Sequence, residues 1–378
     1  MKMRKLAWIA GALLIFSTGC VQDQFRLTGG WSGVSGSDAA FYVATRDGRV
    51  VGLDGSDGRI LSSKTGPLTY PSVTEDSAGP IYGTPHYDGD RVFVTYFDGK
   101  VLALNATDLK PLWRFPKRRE SQVGNIVGGP TVAGGLVIFG DSEGVIRALD
   151  ASRGELKWEF QAENAVWSAP TVVDSVVYVG SFDHKFYALS LQKGEPKWER
   201  PFLADGAIIT SPIVEGDKVL FGSFDGKFYA LNVFSGRPAW EQPFDGDGWF
   251  WADPVVCSNG VICATTTNGS VYGINTHTGK EVWSYKELFS DPIVAKPAML
   301  DETLVVASRA GVVVLLEGQS GNEEGFPYES RGEINADIFV HADVIYLNQM
   351  DRKVIALNGK QMRTLWEQDV SDKYLEDI

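Results

Sequence analysis

Residues 221–240 read FGSFDGKFYALNVFSGRPAW, and this stretch decides the fold. Asp225-Gly226 is a tight-turn pair, because glycine tolerates the positive φ that short hairpins need. Lys227–Asn232 then alternates as a strand does, Ser235-Gly236 marks a second turn, and Trp240 follows on the next extended segment. The same order recurs along the chain. The apolar residue in the place of Leu231 is Leu53, Leu104, Leu149, Leu189, Ile274, Leu316 and Leu357 in the other copies, at steps of 40 to 51 residues. The Trp240 place is filled in phase by Trp113, Trp158, Trp198, Trp283 and Trp366, with Ser62 and Gly325 standing there in the first and seventh copies.

Eight copies of a unit of this length indicate a repeat architecture rather than several unrelated domains. Each unit divides into four short strands. The first follows a small-residue-Pro pair, as in Gly129-Pro130 or Ser211-Pro212, where proline forfeits no ladder donor. The expected fold is all-β, an eight-bladed β-propeller of four-stranded antiparallel blades, whose circular closure protects edges that an open stack would expose. A linear β-solenoid is the alternative, and its turns are usually shorter than these units.

Composition agrees with that reading and removes several classes of function. The 378 residues include 42 Gly and 11 Trp, an excess that turns and a recurring aromatic account for. A formal charge of -13 opposes nucleic-acid binding, which needs clustered cations to displace counterions from phosphates. Cys20, Cys257 and Cys263 lack the paired spacing of a zinc site. His86, His184, His277 and His341 are scattered and form no metal-binding motif, and no nucleophile elbow or phosphate loop occurs. Carboxylates such as Asp98, Asp183, Asp225 and Asp351 recur at one repeat position, which is turn chemistry. No catalytic residue, cofactor-binding residue or metal ligand is expected.

The chain opens MKMRKLAWIAGALLIFSTGC: three cations, an apolar run from Leu6 to Phe16, then small residues before Cys20, the layout of a secretory signal. The run is shorter than the ~20 residues that cross a bilayer as a helix. Residues 1–19 resemble a lipoprotein signal, and the resemblance makes Cys20 the lipidated residue, although Ser17 stands where that family usually has Leu. The division expected is a signal over 1–19, a tether over 20–28 and one propeller over 29–378. An exported body lies in an oxidising compartment, so Cys257 and Cys263, either side of an apparent hairpin turn, are open to two arrangements: a disulfide or two buried thiols.

The pattern from Phe221 to Trp240 resembles the pyrroloquinoline-quinone (PQQ) repeat, over about residues 40–366. Together with the lipoprotein-like signal, the chain is similar to the BamB family of outer-membrane protein assembly factors. The resemblance implies a non-enzymatic, lipid-anchored scaffold that binds another envelope protein, a β-barrel assembly component by analogy. It would be held on the outer membrane facing the periplasm in a host with two membranes, and otherwise on the outer face of the cytoplasmic membrane. The alternative is a PQQ-dependent or small-ligand-binding quinoprotein-like oxidoreductase. Its support is weak, because those enzymes resemble this chain only in their blades and carry an adjacent Cys-Cys pair and a calcium set that are not found here; PQQ is therefore not expected.

Departures from the repeat mark candidate function. The first step is lengthened by Ser62–Gly83, a basic run Lys117-Arg118-Arg119 joins the second and third copies, and Trp249-Phe250-Trp251 joins the fifth and sixth. Trp167 and Trp251, three residues before a blade-opening Pro, are expected to pack near the channel mouth. Because these links emerge on one propeller face, Lys117, Arg118, Arg119, Trp249, Phe250 and Trp251 form the candidate interaction surface.

Overall fold

The structure, a computed structural model, describes residues 32–45, 47–63, 66–67, 69–70, 79–117, 123–258 and 260–371. The signal, the tether with Cys20, Arg118, Arg119 and much of the first long loop lie outside the described residues. The rest forms eight four-stranded antiparallel sheets, each built from one continuous stretch of chain, arranged as an eight-bladed β-propeller. Blade 3 is representative: Thr131–Ala133, Leu136–Gly140, Val145–Asp150 and Leu156–Gln161 pair in order from the channel outward. The second and third strands of every blade are apolar on both faces, as in Val176–Gly180 and Lys185–Ser190, because each sheet is covered by a neighbour on either side.

The recurring Trp explains how blades join. Trp158 donates its indole N–H to the Leu191 carbonyl of the next blade at 2.7 Å. Trp113, Trp198, Trp240 and Trp283 do the same to Ala151, Val233, Thr276 and Gly318 at 2.9–3.1 Å. The acceptor lies in the turn between third and fourth strands, which Asp or Asn caps by accepting the N–H two residues on, as Asp150 does from Ser152 at 3.0 Å. That turn also holds the repeat's glycine. At Gly194 φ is 69°, and a Cβ there would stand 2.5 Å from the Trp158 ring, so both backbone conformation and the neighbouring indole demand glycine.

The two copies without Trp confirm the coupling. Blade 1 lacks the indole, and the glycine place of blade 2 is taken by Leu109, at φ 50° and 1% exposed. Blade 7 lacks it too, and blade 8 has Met362 there at φ 48°, packed on the core between those blades. A side chain from the turn fills the volume that the indole leaves.

One expectation needs correction. The fourth strand carries the Trp in blades 2, 3, 6 and 8, but in blades 4 and 5 it shrinks to Phe202–Leu203 and Phe244–Asp245, beyond Trp198 and Trp240. Pro196 and Pro201 bracket one Trp, Pro238 and Pro243 the other, and proline cannot donate to a ladder. Isolated bridges at Leu189–Pro196 and Leu231–Pro238 are what remain of the pairing. A cavity of about 100 Å³, lined by Phe160, Tyr187, Trp198 and Pro201 among others, opens where the blade 4 segment leaves its sheet.

Of the two arrangements open to the cysteines, the structure shows the disulfide. Cys257 and Cys263 are bonded across the first hairpin of blade 6, with Cα atoms 5.7 Å apart. Val255 is the register partner of Cys263, and Cys257 is the extra residue of a bulge between Val256 and Ser258, so the disulfide joins two residues that are not paired in the ladder.

Candidate functional site

The segment leading into each blade and the turn between that blade's second and third strands are bolted together. Phe182 N–H donates to Ala165 O, Phe224 to Ala207, Thr267 to Trp249 and Arg309 to Pro292, each at 2.9 Å. Links and turns therefore share one face, which surrounds the channel mouth. On its blade 4 to 6 sector the aromatic side chains form a continuous arc. Trp167 meets Phe182 edge-on with centroids 4.8 Å apart, and Phe182 meets Phe224 at 6.3 Å. Trp249 and Trp251 both stack on Phe224, at 5.0 and 5.5 Å. All five rings are partly exposed.

Phe250 does not belong to this surface. It is 1% exposed and packs edge-on against Phe228 in the core between blades 5 and 6. Gly222 leaves the room for it, since a Cβ there would lie 2.3 Å from the Phe250 Cβ. Alternation along an extended link places Trp249 and Trp251 outward and the residue between them inward. Nor does Lys117 join the arc. Its ammonium is exposed and lies 3.8 Å from Glu155 of blade 3, three blades away from Trp249. The structure thus unites Trp249 and Trp251 with Trp167, Phe182 and Phe224 and separates them from Lys117, while Arg118 and Arg119 lie outside the described residues.

Charges beside the arc are internally matched. Asp183 accepts the Tyr187 hydroxyl at 2.6 Å, and Asp225 accepts that of Tyr229 at 2.6 Å. Burial, then the neighbouring carboxylate, pushes both phenols far above their usual range, so they remain neutral donors. Lys185 pairs with Glu163, and Lys227 with Asp205 at 2.7 Å.

Deeper on the axis, the residue two places before the first strand of blades 2 to 8, and the equivalent Gly33 of blade 1, form a ring: Gly33, Thr84, Gly129, Ala169, Ser211, Asp253, Lys296 and Asp337. Convergence of these positions is shown by the Thr84 hydroxyl, which donates to Asp337 Oδ2 at 2.9 Å although blades 2 and 8 are not neighbours. Gly33 of the intervening blade has no side chain to block it. The Ser211 N–H donates to Asp253 Oδ1 at 2.6 Å. Burial raises the Asp253 carboxyl to about 6, with Lys296 opposing the rise and Asp337 adding to it. Sequence reading passed over these three charges. The signal was available: small or hydroxyl residues occupy five of the eight ring positions, and blades 6 to 8 break the rule.

Among the described residues no group of three or more His, Cys, Asp and Glu side chains could hold a metal ion. The disulfide lies at the far end of the first strand of blade 6, away from the mouth.

An eight-bladed propeller of four-stranded blades, each closed on the next by the repeat's indole, is in class a β-propeller built from PQQ-like repeats. The chain belongs to the family described as outer membrane protein assembly factor BamB, which matches residues 7–145, 121–287 and 267–377. Two curated relatives illustrate its neighbourhood. BamB of Yersinia pestis is 28% identical over 157 residues, covering 36% of this chain and 37% of that protein. Quinohemoprotein alcohol dehydrogenase ADH IIB of Pseudomonas putida is 26% identical over 129 residues, 32% of this chain and 19% of the enzyme. The chain thus spans well under half the length of these curated relatives. The crystal structure of BamB from Moraxella catarrhalis superimposes with a TM-score of 0.69 at 20% identity, over 85% of this chain and 94% of that one, a likeness of fold.

Proposed function

We propose that this chain is a non-enzymatic scaffold of the cell envelope, lipid-anchored through Cys20, that docks another envelope protein on its mouth face and acts in the assembly of outer-membrane β-barrel proteins. The aromatic arc supports this most directly, because Trp167, Trp249 and Trp251 present rigid apolar area of the kind that anchors protein interfaces. Family membership supplies the assembly context. The anchor reading rests on the sequence of residues 1–20, and in a two-membrane host it puts the ring in the periplasm.

Mild crosslinking followed by co-purification from a two-membrane host tests the proposal. Recovery of a β-barrel assembly component with the intact chain, lost when Trp249→Ala and Trp251→Ala are combined, is the expected result. Unchanged recovery with the double variant removes the arc from the interface, and failure to recover any such component removes the assembly role.

A second reading, a quinone-dependent oxidoreductase, draws on the dehydrogenase relative. A quinone carrying three carboxylates would meet like charge from Asp253 and Asp337 on the axis, which favours the scaffold. Titration with PQQ and calcium, followed by dye-linked assays on alcohols and sugars, separates the two: saturable binding with turnover would restore the enzyme reading.

A further inference from the structure

The outer rim of blade 4 has an unfilled place. Blade 3 runs Trp158-Glu159-Phe160 back along its third strand, whereas blade 4 runs Trp198-Glu199-Arg200-Pro201-Phe202, two residues more, and rejoins the ladder at Phe202–Phe186, the counterpart of Phe160–Ile146. Beside the displaced segment lies the cavity of about 100 Å³, walled by Phe160, Tyr187, Ala188, Leu189, Trp198 and Pro201. The Tyr187 hydroxyl is committed to Asp183 at 2.6 Å and the Trp198 indole N–H to the Val233 carbonyl at 2.9 Å. Water inside would find few polar partners, so an apolar side chain is the fitting guest. Exposed Leu203, on the same face of the sheet as Tyr187, extends the apolar surface.

Two cations flank this cavity. Lys197 stands between Pro196 and Trp198, and Arg200 between Glu199 and Pro201, all four of which line it. Both cations are exposed, and among the described residues neither forms an ion pair within 4.0 Å. The longer segment does not require them, because blade 5 has the same insertion, Trp240-Glu241-Gln242-Pro243-Phe244, with Ala239 and Gln242 in their places. A complement stands on blade 7, where Gly325, Phe326 and Pro327 are set against Val314 alone, between the Glu324–Leu315 and Tyr328–Val313 pairs. Gly325 turns at φ 70° and Phe326 is 87% exposed, as a bulge that re-aims a side chain would leave it. Glu323, Glu324 and Glu329 around it are exposed, and among the described residues none of them is in an ion pair.

We propose that copies of this chain dock head to tail: Phe326 of one enters the blade 4 cavity of the next, and the carboxylates beside it face Lys197 and Arg200. Charge complementarity selects a second copy as the occupant. The chain as a whole is acidic, yet unpaired cations border this cavity, and an exposed aromatic residue flanked by carboxylates is on the same molecule. Both features lie on the convex rim, three blades apart, so two copies cannot exchange both contacts at once. The contact is therefore heterologous and builds chains of rings. One side chain with a charged border makes a weak, reversible contact, populated where rings are concentrated. It is independent of the assembly role, because it needs no other protein.

Sedimentation velocity of the full chain at rising concentration tests this. Wild type is expected to form dimers and then longer species. Phe326→Ser, and separately Lys197→Glu combined with Arg200→Glu, should each weaken association at least about tenfold while thermal melting shows the fold retained. Mixing the two variants is the decisive arm. The first keeps its cavity and the second its phenylalanine, so the mixture should recover association and stop at a one-to-one pair. A chain that stays monomeric at every concentration, association indifferent to both variants, or a mixture that behaves as its separate components overturns the proposal. A monomeric chain that binds the peptide acetyl-Glu-Glu-Gly-Phe-Pro-Tyr-Glu-amide, and loses it with Lys197→Glu and Arg200→Glu, would give the cavity to a foreign acidic segment and overturn the second copy as its occupant.

Discussion

The indole N–H of Trp366, in the last blade, donates to the carbonyl of Gly55 in the first at 3.2 Å. The seam of the ring is thus made by the same contact that joins Trp158 to Leu191 in its interior. Around it, Asn348 Nδ2 donates to Ser32 O at 2.6 Å, and Phe41 packs on Tyr346 with centroids 4.6 Å apart.

Truncating one indole should open a junction. Trp158→Ala is expected to cost about 3–5 kcal/mol, from lost burial, a residual cavity and the unmade bond to Leu191. Gly194→Leu alone should be comparably harmful, since its side chain meets the Trp158 ring. Combined, the two should recover part of the loss, because Leu109 already fills such a gap where blade 1 has no Trp. Chemical denaturation of the four proteins gives the coupling energy. A strictly additive double variant would show that Leu109 does not substitute for an indole.

Among the described residues, blade 3 contains a buried charge cluster that the other blades lack. Asp141, fully buried, takes the N–H groups of Gly124, Glu143 and Val145 at 2.9–3.1 Å and pairs with Arg147, which also reaches Glu159 at 3.2 Å. Arg147→Met strands the carboxylate without its cation, and about 3–5 kcal/mol of destabilisation is expected in urea unfolding. Asp141→Ser together with Arg147→Tyr, the pair that blades 4 and 5 use at Ser181 and Tyr187 or Ser223 and Tyr229, should be far milder.

Asp253 gives the ring a pH dependence of definite sign. A carboxyl raised in the fold to about 6, from an unfolded value near 3.8, holds its proton more tightly when folded. Its contribution favours the fold below about pH 4, declines as pH rises through the window to about 6, and is level above it. Asp253→Asn should therefore raise the melting temperature at pH 7.5 relative to wild type and change it little at pH 4. Equal shifts at both pH values would exclude a titrating Asp253.

The disulfide closes a short loop, so its stabilisation should be modest. Replacing Cys257 and Cys263 together by Ala is expected to cost about 2 kcal/mol and to leave the rest of blade 6 folded. A denaturation midpoint unchanged by reduction of the wild type would contradict this.

Fold class, blade number and the positions of strands one to three were legible because each rests on a pattern repeated eight times. Trp158 and Gly194 could be seen recurring, but their partnership joins residues in different blades and is visible only once the ring is closed. Phe250 was misjudged because an aromatic triplet in a link reads as surface, while the period of two in extended chain turns its middle member inward. Asp253, Lys296 and Asp337 were hidden differently. Each sits alone beside a proline or its equivalent, some forty residues from the next, and only the convergence of blades on an axis makes them neighbours.

Each blade is one uninterrupted stretch of chain, and among the described residues no blade completes its sheet with a strand borrowed from the other end. The seam is therefore a junction like the rest, and the order of blades along the gene is a matter of bookkeeping for the ring. A circularly permuted chain, cut in any inter-blade link and rejoined between the last strand of blade 8, Arg363–Asp369, and the first of blade 1, Val34–Ser37, would contain the same eight sheets and the same indole contacts in the same cyclic order. Ends could then be moved to any sector of the rim, so that an attached tag or anchor points toward or away from the aromatic arc at will.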